Sequence, residues 1–552
     1  MNSATGTDPH SDPGPGVGGR IVQAGLAVGA AHLLFKLAGL ILAIVMARFV
    51  TAGAYEAVYA VAFEACLFSV FLIGEEVIGP TFLPVFMRQM DRHGEPSAWR
   101  FANTVLTVQA LLLLVVTALM VGLPAAIVRA LTAWNAAERP GQFELAVDSL
   151  RAVAPGLICL SLGSTTYMIL NGYKRFFLAA LGDASWKFCV ILAVAVGIGW
   201  AGLGPSMIVL GLVLGSAAKL LTHLCGLGRR VTRFRVRFDL RSPAVRTMIV
   251  LMLPLIAGIL VAKARDIFNN VSVLSHLETV GLIQANSFGR KLYQPIGWLV
   301  PYSLSIAMFP FFCELVDFKA NDKLGRLLTD SARMLLSLFI PLTLVCVVLA
   351  RPITELLFRG GEFTQQNVGW TSVSMACYTL VLPAASIEYL LMQAFFANRR
   401  MVSVTVIGIV FSLLSMAISY LGVVVLGLGG AWALAAIAGG FAVSRMLKST
   451  TLIVLLKRNV PCFEPAATLG FLARATLAGV AAAAACYAVR EAFETVLPTP
   501  AARPMLIVEL MAAGLAAAAV FVPACFLLRV HEPGQMLAWT LERVRERFRG
   551  KG

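Results

Sequence analysis

Charged side chains within otherwise apolar stretches are the residues of this sequence best suited to chemistry. Lys263, Arg265 and Asp266 stand together in one such stretch, and Arg290 stands in the next. A charge at bilayer depth costs roughly 3 kcal/mol on insertion scales, so each needs a partner or a function. Because arginine offers phosphate groups a two-pronged hydrogen-bonding fork, this cluster favours binding of an anion that carries phosphate or pyrophosphate.

Further charges stand in the first two apolar stretches of the chain. Lys36 lies within the first stretch, Arg48 lies at its end, and Glu75 lies in the second. All three extend the candidate substrate-binding set. Glu75, Glu76 and Asp266 would keep these cations charged in an empty site, or would take up a coupling proton.

A structural role is the competing interpretation for several charges. Asp183 and Lys187 are spaced i, i+4, as in a pair on one helix face. Lys219 and Glu388 can pair locally or extend toward the membrane surface. For Lys36 the functional and the structural interpretations both remain open.

The sequence predicts no catalytic residue, cofactor or metal ligand. Its ten cysteines are scattered, mostly within apolar stretches, and none forms a CxxC or Cys/His pattern. The connections between apolar stretches are short. A membrane glycosyltransferase or ligase is therefore disfavoured, because such an enzyme needs an extramembrane face for its substrate.

Composition and apolar runs predict an all-α polytopic membrane protein. The 552 residues are 59% hydrophobic and 13% charged, with a mean hydropathy of +0.83. Runs of about 20 apolar residues, enough to cross a bilayer, recur along the chain. The predicted transmembrane helices number about 14, at 21–47, 57–80, 101–123, 152–170, 180–201, 206–225, 247–274, 281–311, 329–350, 370–396, 402–424, 428–453, 468–488 and 505–528.

The distribution of positive charge predicts the orientation of these helices. With the spans alternating in direction, 25 Lys and Arg residues fall on the face that holds both termini and 8 on the other. The positive-inside rule then puts both termini in the cytoplasm. The net charge of +16 thus favours contact with anionic phospholipids of the inner leaflet rather than with nucleic acid.

An internal repeat divides the chain into two similar halves. Lys174-Arg175 recurs 225 residues later as Arg399-Arg400, and Gly202-Leu203-Gly204 recurs as Gly427-Leu428-Gly429. Two similar bundles that rock about a shared site are typical of transporters. The predicted domains are a disordered tail at 1–19, a first lobe of six helices at 20–228, a basic linker at 229–246, a second lobe of six helices at 247–458, two further helices at 459–528 and a basic tail at 529–552.

Several segments resemble the MurJ/MviN lipid II flippase family, in the same order along the chain. RPITELLFRGGEFTQQNV (351–368) is similar to the family's P-I-x-x-L-L-F-x-x-G-x-F-T segment, and AFFANRRM (394–401) to the A-F-Y-A motif that follows it. EEVIGPTFLPVF (75–86), NGYKRF (171–176) and GRKLYQPIG (289–297) resemble three more family segments. The resemblance covers about 20–528 and implies a diverged, 14-helix member of the multidrug/oligosaccharidyl-lipid/polysaccharide exporter superfamily.

The resemblance carries over to some of the candidate site residues. Lys36 stands at the first-helix arginine of the family, Arg48 at its A-R pair, Glu75 at its second-helix glutamate and Arg290 at its eighth-helix arginine. Other family charges are missing. Leu42-Ala43 replaces an Arg-Asp pair, and an Arg-Arg pair of the second helix is absent, with Val70-Phe71 nearby. We hypothesise that a substitute cluster on the seventh helix compensates; it consists of Lys263, Arg265 and Asp266.

The function that the resemblance implies is transport without covalent chemistry. The chain would move an undecaprenyl-pyrophosphate-linked cell-wall precursor, lipid II, across the bacterial inner membrane by alternating access. Two alternatives remain: a flippase for another lipid-linked saccharide, such as an exopolysaccharide or O-antigen unit, and a non-transporting scaffold for cell-wall synthesis. The partners implied are a polyprenyl-pyrophosphate-linked glycan, anionic phospholipids and cell-wall synthesis proteins. A cation-coupled drug exporter is less favoured because the candidate site is rich in cations.

Overall fold

The architecture is all-α, as predicted. The structure is a computed structural model that describes residues 37–496 and 502–534. The predicted tail at 1–19 and Lys36 lie outside these residues. The helices, numbered in chain order, are α1 (Leu37–Phe49), α2 (Ala52–Gly122), α3 (Pro124–Leu131), α4 (Pro140–Val153), α5 (Gly156–Gly172), α6 (Phe176–Trp200), α7 (Ser206–Leu227), α8 (Pro243–Ile267), α9 (Leu282–Asp317), α10 (Asn321–Phe358), α11 (Gln365–Thr379), α12 (Leu382–Ala397), α13 (Met401–Val425), α14 (Gly430–Lys457), α15 (Pro465–Val496) and α16 (Arg503–Leu527).

Within the described residues, each predicted transmembrane span falls on one or two of these helices. In the described residues, eight helices are long and apolar enough to cross a membrane, or eleven if each bent pair counts as one span. Two of the bends lie within predicted single spans, at 50° between α4 and α5 and at 41° between α11 and α12. The chain is an integral membrane protein, whose helices satisfy their backbone hydrogen bonds internally, as lipid requires.

The helix α2 is 71 residues long and contains two predicted spans, with an interruption at one glycine between them. Gly94 has φ of +75° and ψ of 172°, far from helical values. This backbone conformation is accessible to glycine at little cost. The break thus lies in the connection between the second and the third predicted spans.

The internal repeat extends to the backbone conformation of the turns. Lys174 and Arg399 have φ of +60° and +57°, and Gly202 and Gly427 both have φ of +65°. The hydrogen bonds match as well. The N–H of Arg175 donates to the carbonyl of Leu170, and the N–H of Arg400 to that of Phe395, both at 2.9 Å. Equivalent helices of the two halves therefore end in the same left-handed turn.

The chain forms two compact units. The first unit contains the described residues up to Leu42, Gly74–Val121 and Ala152–Met252, and the second contains Ala43–Ile73, Gly122–Arg151 and the described residues from Leu253 onward. Stacked phenylalanine rings are part of the core of the first unit, with Phe82 and Phe86 5.5 Å apart. The stacked rings of Tyr293 and Tyr378, 5.2 Å apart, are part of the core of the second.

The start of the basic linker is fixed within the first unit by Glu95. Its carboxylate accepts a hydrogen bond of 2.5 Å from the Tyr173 hydroxyl and pairs with Arg233 at 2.5 Å and Arg230 at 3.3 Å. The Tyr173 hydroxyl and then the Arg233 guanidinium hold the pKa of Glu95 below its ordinary value. The Glu95 carboxylate thus compensates part of the positive charge of the basic linker.

Candidate functional site

The Asp266 carboxylate lies between two arginines of neighbouring helices in the second unit. Its Oδ1 is 2.7 Å from Nη2 of Arg265, and its Oδ2 is 3.0 Å from Nη2 of Arg290. Asp266 and Arg265 are consecutive near the end of α8, whereas Arg290 lies on α9. We call these three residues the Asp266 cluster. Their side chains are 12–26% exposed, so they are shielded but open to a ligand.

Lys263 adds a further positive charge to this region. It lies three residues before Asp266, a spacing that puts both side chains on one face of α8. Its side chain is half-buried and interacts electrostatically with the Asp266 carboxylate. The four predicted site residues of α8 and α9 thus lie together.

A second charge network lies beside Arg265. The Glu388 carboxylate, buried on α12, pairs with Arg445 at 2.5 Å and with Lys448 at 2.7 Å, both from α14. The Phe441 ring links the two networks, because the guanidinium carbons of Arg265 and Arg445 lie 5.2 and 5.3 Å from its centroid. Such contacts stabilise cations in an apolar environment.

Sequence reasoning missed this second network. The sequence suggests that Glu388 pairs locally or extends toward the membrane surface, yet its partners lie 57 and 60 residues further along the chain. A signal was present, since Arg445 and Lys448 interrupt an apolar helix and lie three residues apart on one face.

A further ion pair joins α2 and α9. Lys291 Nζ lies 2.9 Å from Oε1 of Glu64 and donates to the Tyr55 hydroxyl at 3.0 Å. The Tyr55 hydroxyl also lies 2.9 Å from Oγ of Ser287. This pairing fixes the face of α9 next to Arg290.

Arg48 and Glu75 are placed differently. In the described part of the chain, none of the contacts of Arg48 is with the Asp266 cluster; its guanidinium lies over the Phe49 ring, and its carbonyl accepts a hydrogen bond from the Glu362 N–H. Glu75 lies in the first unit, half-buried, where it interacts electrostatically with Tyr167. Lys36 lies outside the described residues.

The arrangement suits reversible binding of an anion. Five cations, Lys263, Arg265, Arg290, Arg445 and Lys448, accompany the two carboxylates of Asp266 and Glu388. Ion pairs at low exposure keep guanidinium groups charged and oriented. A phosphate or pyrophosphate group can then replace a carboxylate as their partner.

Comparison with known proteins adds to this geometry. A family model described as "Lipid II flippase MurJ" matches residues 46–499. A protein of Rhizobium meliloti (strain 1021), described as a probable lipid II flippase MurJ, is 26% identical over 386 residues, which are 69% of this chain and 71% of that protein.

Solved structures share the fold. A lipid II flippase MurJ in an inward closed conformation matches with a TM-score of 0.72 at 17% identity, covering 91% of this chain and 99% of that one. An inward-facing multidrug resistance MATE family transporter of the MOP superfamily matches with a TM-score of 0.65 at 16% identity, covering 77% and 94%. The family model spans most of the chain, and the chain therefore belongs to the MurJ lipid II flippase family.

Proposed function

We propose that this protein is a flippase that moves lipid II, an undecaprenyl-pyrophosphate-linked cell-wall precursor, across the bacterial inner membrane by alternating access. The observation that carries the proposal is the Asp266 cluster. Two guanidinium groups on apolar helices share one carboxylate, so together they retain an excess positive charge for an incoming anion. Membership of the MurJ family supports a pyrophosphate-linked lipid as that anion.

In this proposal Asp266 is a placeholder for the substrate. With the site empty, it holds Arg265 and Arg290 in place and compensates their charge. When the pyrophosphate enters, each guanidinium can exchange a carboxylate oxygen for a phosphate oxygen without loss of hydrogen bonds. Because Asp266 can take back both guanidinium groups, the site can also release the pyrophosphate, as transport requires.

The proposed orientation puts both termini and the basic linker on the cytoplasmic side. The linker residues 235–238 alternate exposed arginines with exposed apolar side chains, Val236 at 92% and Phe238 at 65%. Apolar side chains can enter the membrane interface while the arginines reach anionic headgroups, worth about 1 kcal/mol per basic residue.

The test uses the purified full-length protein in liposomes that contain fluorescent lipid II. A membrane-impermeant reagent that destroys the label in the outer leaflet reports how much lipid has crossed. We expect the double variant Arg265→Gln, Arg290→Gln to flip lipid II at no more than about one tenth of the wild-type rate. The reason is that each charge-assisted hydrogen bond contributes about 1.5–3 kcal/mol. Arg351→Gln, at an exposed end of α10, is the matched control and should retain the wild-type rate.

The same liposomes separate the alternatives. Faster crossing of an undecaprenyl-pyrophosphate lipid with a different saccharide would overturn lipid II as the cargo and support the other flippase. Absence of crossing for every such lipid would support the scaffold. A wild-type rate for the double variant would remove the Asp266 cluster from the mechanism.

A further inference from the structure

The first unit contains a buried polar cluster of its own, centred on His223. This residue lies on α7, and its side chain is fully buried. Its Nδ1 is 2.9 Å from the carbonyl oxygen of Gly163 on α5, and its Nε2 is 2.9 Å from the carbonyl oxygen of Ala179 on α6. One imidazole ring thus faces backbone acceptors on both neighbouring helices.

Two acceptors match the doubly protonated ring. A neutral imidazole carries one N–H, whereas the imidazolium carries two and can donate to Gly163 and Ala179 together. The neutral ring is also satisfied, because the Thr166 hydroxyl lies 3.1 Å from Nδ1 and can donate to it. When the ring is charged, that hydroxyl can donate to the carbonyl of Leu162 at 3.1 Å instead. Either protonation state therefore has a complete set of hydrogen bonds.

Glycines make room for this cluster. A Cβ atom at Gly182 would lie 2.1 Å from Nε2 of His223, and one at Gly163 would lie 3.0 Å from Cε of Lys219. Any larger residue at Gly182 would therefore displace the ring. The close approach of α5, α6 and α7 at this point depends on these small residues.

The two charges nearest to His223 act on its protonation in opposite directions. Lys219 on the same helix forms an ion pair of 2.7 Å with Asp183 on α6. Lys219 opposes a charge on the imidazole, and Asp183 favours it. From α5, the Tyr167 ring lies 6.0 Å from the imidazole, and Tyr167 also interacts electrostatically with Glu75 on α2. Tyr167 therefore interacts with both His223 and a predicted site residue.

The repeat supplies an internal comparison. The residues 225 positions after Gly163 and His223 are Glu388 and Lys448, which form the ion pair of 2.7 Å in the second unit. The second half of the chain thus holds a lysine with a carboxylate partner at this point. The first half holds a titratable cation with a glycine in place of the carboxylate.

We propose that His223 is a proton-binding site. Its protonation moves the hydrogen bond of the Thr166 hydroxyl from the His223 ring on α7 to the backbone of α5, and so changes the transport rate. This inference goes beyond the proposed function and does not depend on the identity of the cargo. Histidine is suited to such a role because its charge changes between about pH 5 and pH 8.

Binding of the proton is tested without transport. The full-length protein, labelled with 15N-histidine and held in lipid nanodiscs, contains six histidines, and the signals lost in His223→Gln identify those of His223. We expect His223 to change from one N–H to two as the pH falls from about 8 to about 5. A ring that keeps the same protonation state over this whole range would overturn the proposal.

Consequences for transport are tested with variants that lack the imidazole. His223→Lys introduces the residue found at the equivalent position of the other half of the chain, whereas His223→Gln stays neutral. We expect a several-fold change in wild-type flipping rate over the same pH range, flat profiles for both variants and an unchanged profile for the exposed control His276→Gln. A wild-type pH profile in a folded variant of either kind would overturn the coupling. Because the NMR titration needs no cargo, failure of the lipid II assignment would leave that result unaffected.

Discussion

The carboxylate of Glu56 accepts hydrogen bonds from the backbone N–H groups of Gly281 and Ile283, at 2.7 and 3.0 Å. Glu56 is buried on α2, and the two donors lie at the first turn of α9. The first N–H groups of a helix lack partners within the helix, and negative charge is favourable at that end. Glu56 thus caps the helix that carries Arg290.

Replacement of Glu56 by alanine should destabilise the protein. Two buried N–H groups would lose their acceptor, and loss of such a cap lowers the free energy of unfolding by about 2 kcal/mol. Thermal unfolding of the purified protein measures the effect. Glu56→Gln keeps an acceptor and should lose less, and Glu138→Ala, at an exposed position, should change little. Equal stability of Glu56→Ala and Glu138→Ala would contradict the capping role.

Replacement of Asp266 by asparagine should make the stability of the protein depend on added anions. Arg265 and Arg290 would lose their shared carboxylate, and breaking a buried pair costs about 3–5 kcal/mol when it leaves a charge uncompensated. Inorganic pyrophosphate should restore part of this loss by binding the two guanidinium groups. The measurement is the thermal midpoint of Asp266→Asn and of the wild type with increasing pyrophosphate. The idea fails if pyrophosphate shifts the wild type by as much as the variant.

Local patterns predicted the helices well, because apolar length alone specifies a membrane span. The grouping of Arg265 with Asp266 followed from adjacency. Partners such as Glu388 and Arg445 could not be predicted in the same way, since helical periodicity does not say which helices pack together. The cap at Gly281 could not be predicted for a related reason: Glu56 stands at the edge of its predicted span, 225 residues before its partner.

The bends in predicted spans were equally hidden from the sequence. The α4 and α5 helices meet at 50°, close to the start of a predicted span. Hydropathy reports the length of an apolar run but not its direction. The left-handed turns at Lys174 and Arg399 also lacked a glycine signal, although the repeat marked both positions.

Those left-handed turns lead to a prediction about stability. Positive φ costs Lys174 and Arg399 about 1–2 kcal/mol of steric strain each, and glycine would avoid this strain. Part of that gain is lost because glycine makes the unfolded chain more flexible. We expect Lys174→Gly and Arg399→Gly each to raise the free energy of unfolding by about 0.5 kcal/mol. Lys323→Gly, within α10, should instead destabilise by about 1 kcal/mol. Thermal unfolding would contradict the strain if all three variants lost stability alike.

The Glu95 contacts predict a pH dependence of stability. The pKa of Glu95 is lowered in the folded protein, so its contribution is present above the unfolded value, about 4.3, and is lost as the pH falls through the folded value. The gap in stability between the wild type and Glu95→Gln should therefore be constant near neutral pH and shrink in acid. Burial and then the Glu95 carboxylate raise the pKa of Tyr173 to about 12, so its hydroxyl keeps its proton throughout.

Tyr173→Phe is the companion variant for that measurement. It removes the contact that lowers the pKa of Glu95 most. The difference in stability between Tyr173→Phe and the double variant Tyr173→Phe, Glu95→Gln should therefore be smaller than that between the wild type and Glu95→Gln. Stability is followed by thermal unfolding between about pH 2 and pH 8, so that the range includes the pH at which Glu95 is protonated in the folded protein. A gap that stays the same at every pH would show that Glu95 titrates alike in the folded and unfolded chains.

Gly289 allows the position of Arg290 to be changed without touching its charge. A Cβ atom on Gly289 would lie 2.6 Å from Oγ of Ser374 and 2.7 Å from the backbone nitrogen of Met375, so α9 and α11 would have to separate. Overpacking of this kind costs about 1–3 kcal/mol. Because Arg290 is the next residue, Gly289→Ala should also displace its guanidinium from Asp266 and slow lipid flipping in liposomes. Gly369→Ala, in α11 with open space around its Cβ position, should stabilise slightly and flip normally. Normal flipping by a destabilised Gly289→Ala would mean that transport tolerates movement of Arg290, and the Asp266 cluster would then not be the point of substrate contact.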